Sequence, residues 1–148
     1  MPQIDQLQEP TLAERGAILA PLDAFSREQG FIWLPKLLAL ALRDDDGRIQ
    51  GGAIGETNWG WLHLTVLAVS EDLRGQGWGS RLIREMERLA RDRGCHHVWV
   101  DTFSFQARPF YERLGFRVFG VLPDYPVGQE RYFLSKALRP QDESEPSA

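Results

Sequence analysis

The sequence predicts an α/β fold, with helices packed against a sheet of mixed strand direction. Two neighbouring segments carry that reading. From Trp61 to Val69 apolar and polar residues alternate as in a strand. Directly after it, Leu82, Ile83, Met86, Leu89 and Ala90 follow the helical period, and Gly94 stands where a left-handed residue closes a helix. A third observation is the element order over 148 residues. Helix, hairpin, long strand, helix, strand, short helix and two strands fill one layered domain of ordinary size.

Taken in order, Thr11 to Glu28 carries apolar positions at Leu12, Ile18, Leu19, Leu22 and Phe25, the spacing of an amphipathic helix. Gly16 and Pro21 are expected to break or kink it. Gly30 to Pro35 reads as a loop. Leu37 to Leu42 is a short apolar run ended by Asp44-Asp45-Asp46-Gly47, whose Asp-Gly pair suits a hairpin turn. The return strand, Ile49 to Glu56, holds three glycines that weaken it or permit a close backbone approach. Asn58-Trp59-Gly60 is a second turn. In the long strand, strict alternation puts Leu62, Leu64, Val66 and Ala68 on one face, and Trp61, His63, Thr65, Leu67 and Val69 on the other. His97 to Asp101 is a short strand, and Ala107 to Leu114 a short helix stopped by Gly115. Phe116 to Val121 and Arg131 to Leu138 complete the strands, joined by a loop from Pro123 to Gly128. The domain is expected to span 1–138, with 139–148 a polar, acidic, disordered tail.

Charge and composition exclude several classes. Seventeen Lys and Arg against 21 Asp and Glu give a net charge of −4, the wrong balance for a dedicated nucleic-acid binder. A single cysteine supports neither a disulfide framework nor a multi-cysteine zinc site. No apolar run nears the ~20 residues of a membrane span, and the start lacks the pattern of a secretory signal. A cytoplasmic protein without membrane or nucleic-acid partners is the expectation. Cys95, beside Gly94, has no base paired with it by any motif and reads as a core or surface thiol. His96 and His97 point to opposite faces of a strand, which argues against a metal site. The aspartate run lacks the alternation and closing glutamate of a calcium loop.

The chemistry concentrates in the strand-to-helix junction Ser70-Glu71-Asp72-Leu73-Arg74-Gly75-Gln76-Gly77-Trp78-Gly79-Ser80. Three alternate glycines let the backbone curl and aim several N–H groups one way, at the end of a helix whose dipole favours an anion. Arg74, Arg81 and Arg84 add positive charge, so a diphosphate suits this corner. A Walker loop is excluded because Trp78 follows Gly77, and no lysine occurs between there and Lys136. A dinucleotide fingerprint fails because position 80 is Ser and the strand is internal rather than first.

Arg74-Gly75-Gln76-Gly77-Trp78-Gly79 resembles the Q/R-x-x-G-x-G/A signature with which the GNAT N-acetyltransferase superfamily binds the pyrophosphate of coenzyme A. Leu67-Ala68-Val69 resembles the strand that holds the pantetheine arm. About 30 residues downstream, Ala107-Arg108-Pro109-Phe110-Tyr111-Glu112-Arg113-Leu114-Gly115-Phe116 is similar to the family's second motif, A-x-x-F-Y-x-x-x-G-F. The resemblance covers roughly residues 30 to 138. It implies a mostly antiparallel sheet of about six to seven strands with helices on both faces. It also implies acetyl transfer from acetyl-CoA to a primary amine, of a small molecule or of a protein N-terminus or lysine, by direct attack in a ternary complex and without a metal; a CoA-binding protein without turnover is the alternative.

By the same resemblance, Leu67, Ala68 and Val69 and the loop residues Arg74, Gly75, Gln76, Gly77, Trp78, Gly79 and Ser80 hold the cosubstrate. Backbone N–H groups at Leu67 to Val69 would receive the oxyanion, and Tyr111 would be the general acid beside the thioester sulfur. Members often place Asn seven residues before the tyrosine. Here Ser104 stands there, and either it or Gln106 takes over the contact. His63 is the candidate base, on the presumed cleft face of the strand, with Glu56, Asp124 or a water chain as alternatives. Trp59, Trp61, Phe103, Phe105 and Tyr125 could frame an aromatic acceptor pocket or pack the core; Tyr125, on a loop, favours a ligand or a partner chain. A homodimer through an exposed last strand is compatible with all of this.

Overall fold

A computed structural model describes residues 1–139; the remainder of the expected tail, 140–148, lies outside the described residues. The chain divides into two compact units, one from Met1 to Leu34 and one from Pro35 onward.

The first unit contains one helix, α1 (Leu12–Glu28). Its start is a capping box: the Thr11 hydroxyl accepts from the Glu14 amide, and the Glu14 carboxylate accepts from the Thr11 amide. The expected break does not occur. The helix runs through Pro21, and Ala17, whose carbonyl loses its helical donor there, is exposed where water can replace it.

The second unit is built on a six-stranded sheet, comprising β1 (Lys36–Arg43), β2 (Ile49–Asn58), β3 (Trp61–Val69), β4 (His97–Phe103), β5 (Arg117–Pro123) and β6 (Glu130–Ala137). The spatial order is β1-β2-β3-β4-β6-β5, and every pairing is antiparallel except β3 with β4. Helix α2 (Trp78–Asp92) makes the crossover between those two parallel strands, and the short helix α3 (Arg108–Arg113) follows β4. The last strand is therefore not an edge: β6 inserts between β4 and β5, which leaves β1 and β5 outermost.

Leu82, Ile83, Met86 and Ala90 of α2 are buried against Leu62 and Leu64 of β3, Val98 and Val100 of β4 and Leu134 of β6. Two polar clamps hold the helix on the sheet. Buried Glu87 accepts from Lys136 Nζ of β6 with both oxygens, at 3.0 and 3.1 Å. At the other end Arg93 donates to the carbonyls of Lys36 and Leu37 and to Thr57 Oγ1, tying the helix terminus to β1 and β2.

Strict alternation fails in β3, and the failure shapes the site. Ile54 pairs with Val66 but Gly55 with Leu64, so Thr65 is an extra residue in β3, a bulge. Its hydroxyl donates to the Ile54 carbonyl at 3.0 Å. The bulge exchanges the faces of everything beyond it. Leu67 and Val69 pack on the same core as Leu62 and Leu64, not on the side of His63 as alternation predicts.

Candidate active site

Beyond the bulge, β3 also parts from its parallel neighbour. The β3–β4 ladder ends at Leu64 with Val100, whereas β3 stays paired to β2 as far as Val69 and β4 to β6 as far as Phe103. Thr65 to Val69 are thus laddered on one side only, and a wedge opens between the two strands.

The wedge runs into a cleft of about 690 Å³. Leu67, Ala68 and Val69 form one wall, and Arg74, Gly75, Gly77, Trp78, Gly79 and Ser80 another. Ala107, Phe110 and Arg113 close it from the α3 side. The glycine loop holds its shape for local reasons. Gly75 and Gly77 have φ of +76° and +83°, with Gly77 as the N-cap of α2, and a Cβ at either would meet nothing within 4 Å. Both therefore border open space. Gly79 differs: a Cβ there would lie 3.2 Å from Phe110 Cζ, so its lack of a side chain lets α3 approach α2. Arg74 Nε donates to the Val69 carbonyl at 3.0 Å and ties the loop to the end of β3. Arg81 lies over the Trp78 ring at 4.3 Å.

Two residues expected at the cofactor are used elsewhere. Gln76 donates to the Asp72 carbonyl and does not line the cleft. The Ser104 hydroxyl donates to Gln129 Oε1 and accepts from the Glu130 amide, so it secures the approach to β6. Gln106 is equally committed, its side-chain oxygen accepting from the Phe103 amide and the Thr102 hydroxyl. The sequence reading missed Phe110 and Arg113 as cleft residues, although both stand within the second motif.

Tyr111 lies behind the cleft wall, buried to 6 % exposure, with Phe110 and Phe116 edge-on at 5.1 and 5.6 Å. Burial, with a smaller contribution from the Asp101 charge, pushes its phenol up to about 12. His63 sits on the opposite face of the sheet, one residue before the last β3–β4 pair, stacked on Trp99 of β4 at 3.6 Å and 7°. Its Nε2 is 3.7 Å from Asp101 Oδ1. Burial lowers its pKa, outweighing the upward pull of Asp101 and Glu56. Asp101, just past the last ladder pair, accepts from Arg131 Nε at 2.9 Å and from Nη2, while Arg131 Nη1 donates to the Tyr125 hydroxyl at 3.1 Å. Tyr125 stacks on Phe103, and Phe103 on Phe105. Neither Asp101 nor Arg131 was singled out from the sequence, because strand registers across β4 and β6 bring them together.

A sequence model of the Acetyltransferase (GNAT) family matches residues 4–116. The chain belongs to this family. The chain is similar to the blasticidin-S acetyltransferase of Streptomyces morookaense, 44 % identical over 93 residues, covering 62 % of this chain and 68 % of that protein. The acetyltransferase Atu2258 of Agrobacterium fabrum is 39 % identical over 99 residues, 67 % of this chain and 72 % of its own length. Among solved structures, an acetyltransferase from Bacillus cereus superposes with a TM-score of 0.80 at 31 % identity, over 90 % of this chain and 98 % of that one. The chain is thus a GNAT acyltransferase, with the mixed, mostly antiparallel sheet expected of one.

Proposed function

We propose that this GNAT protein transfers an acetyl group from acetyl-CoA to the primary amine of a small molecule, by direct attack within a ternary complex. The observation that carries the reading is the cleft, where half-laddered β3 and the glycine-lined N-terminus of α2 face one space. Loop amides and the α2 dipole would hold the pyrophosphate, with Arg74 and Arg113 supplying charge. The pantetheine arm would then lie along Leu67 to Val69. There the free side of β3 offers backbone groups, as an added strand would use, and N–H donors for the oxyanion.

Faces exchanged at Thr65 put acyl donor and candidate base on opposite sides of the sheet, and the wedge joins them. An amine arriving on the His63 side would meet the thioester through the gap. His63, held neutral by burial, would take the proton as the C–N bond forms. The C–S bond then breaks with its electron pair on sulfur, and the Tyr111 phenol, still protonated at neutral pH, would donate a hydrogen bond to the thiolate. Aromatic side chains at Phe103, Phe105 and Tyr125 would border the acceptor. The name of the blasticidin-S relative favours a small molecule over a protein acceptor.

The test is an acetyl-CoA consumption assay over a panel of nucleoside antibiotics, aminoglycosides, polyamines, arylalkylamines and peptides. Thiol release with at least one small amine and none with peptides is expected. Transfer only to peptides, or tight CoA binding without any transfer, would overturn the proposal.

A further inference from the structure

Next to the wedge, His63 Nε2 is buried and makes no hydrogen bond among the described residues. Trp99 covers one face of the ring, and Asp101 Oδ1 stands 3.7 Å from Nε2. The Asp101 carboxylate is itself fixed. Its Oδ2 takes two donors from Arg131, whose guanidinium also lies over the rings of Tyr125, Phe133 and Phe103 at 5.0, 5.2 and 5.4 Å. Oδ1 is left turned toward the imidazole.

A neutral imidazole has one N–H and one lone pair, and the two tautomers are not equivalent here. With the lone pair on Nε2, two acceptors would confront each other at a site shielded from water. With the proton on Nε2, a donor faces a carboxylate. We propose that Asp101, clamped by Arg131, fixes His63 as the Nε2–H tautomer and so leaves Nδ1 as the atom that accepts the proton of the incoming amine. Asp101 is in this sense a positioning residue, and its role rests on the reading of His63 as the base.

The bookkeeping closes. When the amine nitrogen bonds to the acetyl carbon, one of its protons passes to Nδ1, and the C–S electron pair departs on sulfur. The imidazolium so formed carries hydrogen on both nitrogens, with the new charge spread toward Asp101. The groups facing His63 are Glu56 from β2, Asp101 from β4 and Arg131 from β6, and burial together with Arg131 opposes the charged form while both carboxylates favour it. Asp101 also adds to the upward shift of Tyr111. One carboxylate thus acts on both proton-handling groups.

Histidine-labelled wild-type protein reports the tautomer directly, with a variant needed only to assign the signals. The chain has three histidines, and the His63 signals are those missing from His63→Gln. Long-range 1H–15N spectra at neutral pH should show Nε2 protonated and Nδ1 bare. Protonated Nδ1 would overturn the proposal whatever the activity. Asp101→Asn, which can offer an N–H to Nε2, should shift the population toward the other tautomer. It should also lower kcat by at least about tenfold, a part of the roughly 10²–10⁴ that a general base contributes, with KM for acetyl-CoA unchanged. A bridge that is merely structural would lower Tm and leave the nitrogen pattern alone. If Asp101→Asn does not fold, Arg131→Lys weakens the clamp and takes its place. A normal kcat in a variant with the altered tautomer would overturn the positioning role. Full turnover in His63→Gln would remove the base reading but not the tautomer assignment.

Discussion

Replacing Tyr111 by Phe separates chemistry from packing at the candidate acid. The ring contacts to Phe110 and Phe116 are kept, and the hydroxyl, which makes no hydrogen bond among the described residues, is removed. Stability should therefore change by less than about 0.5 kcal/mol. The effect on rate follows from the raised acidity constant. A phenol near 12 facing a thiolate whose conjugate acid ionises near ~8.5 cannot hand over its proton downhill. What it supplies is a hydrogen bond to a charged sulfur, about 1.5–3 kcal/mol, or roughly 10- to 150-fold. Single-turnover acetyl transfer should fall by that factor, with little change in acetyl-CoA affinity, because loop and strand amides still hold the cosubstrate. Measuring a single turnover avoids masking by product release. A rate within about twofold of wild type in a folded Tyr111→Phe protein would refute the reasoning and leave water as the donor.

Gly77→Val should all but abolish acetyl-CoA binding by calorimetry, since the new side chain would enter the space offered to the phosphates from a strained φ of +83°. Its stability loss should stay near 1–2 kcal/mol, because no protein atom is struck, and unchanged affinity would contradict the site. Lys136→Ala should cost about 3–5 kcal/mol in urea unfolding by stranding buried Glu87, and a loss under ~1 kcal/mol would mean that the pair is effectively solvated. Alkaline titration should also show Tyr111. Its folded pKa lies above that of the free phenol, so its contribution is complete below pH ~10 and declines as pH rises toward about 12. Wild type should lose about 2–3 kcal/mol more than Tyr111→Phe over that interval, and equal losses would place the phenol in water.

Much of this was legible because it is local. The α2 period, the glycine junction, the Asp44 turn and the Gly94 terminus each depend on residues a few positions apart, and the structure has them where the pattern puts them. The glycines of β2 were legible as a choice, and the structure makes it: a Cβ on Gly51 or Gly52 would lie 2.2 Å from the Ala68 carbonyl oxygen or 2.1 Å from that of Leu40. What stayed hidden depends on pairing. Nothing in Trp61–Val69 distinguishes Thr65 from any other outward residue, because the bulge exists only in the register with β2. Nor does local sequence tell that Arg131 lies across from Phe103 and reaches Asp101, or that β6 enters before β5 in space.

The bulge and the glycines facing the β3 segment beyond it, Gly51 opposite Val69 and Gly52 opposite Ala68, are two halves of one device. An extra residue in β3 increases twist and bends the strand, and the bend carries Thr65 to Val69 away from β4 while β4 continues along β6. For β2 to follow the bent segment, its backbone must come closer to both neighbours than a side chain permits, which is where Gly51 and Gly52 stand. A regular β3 with alanines opposite would complete the β4 ladder and bury both faces. It would be the more stable sheet by about 1 kcal/mol for each added hydrogen bond. It would also close the wedge, where unladdered strand amides and the N-terminus of α2 come together with a half-buried histidine on the far face. On the proposed reading, those missing ladder bonds are stability forgone so that β3 keeps an unladdered edge at Leu67 to Val69 for an acyl donor.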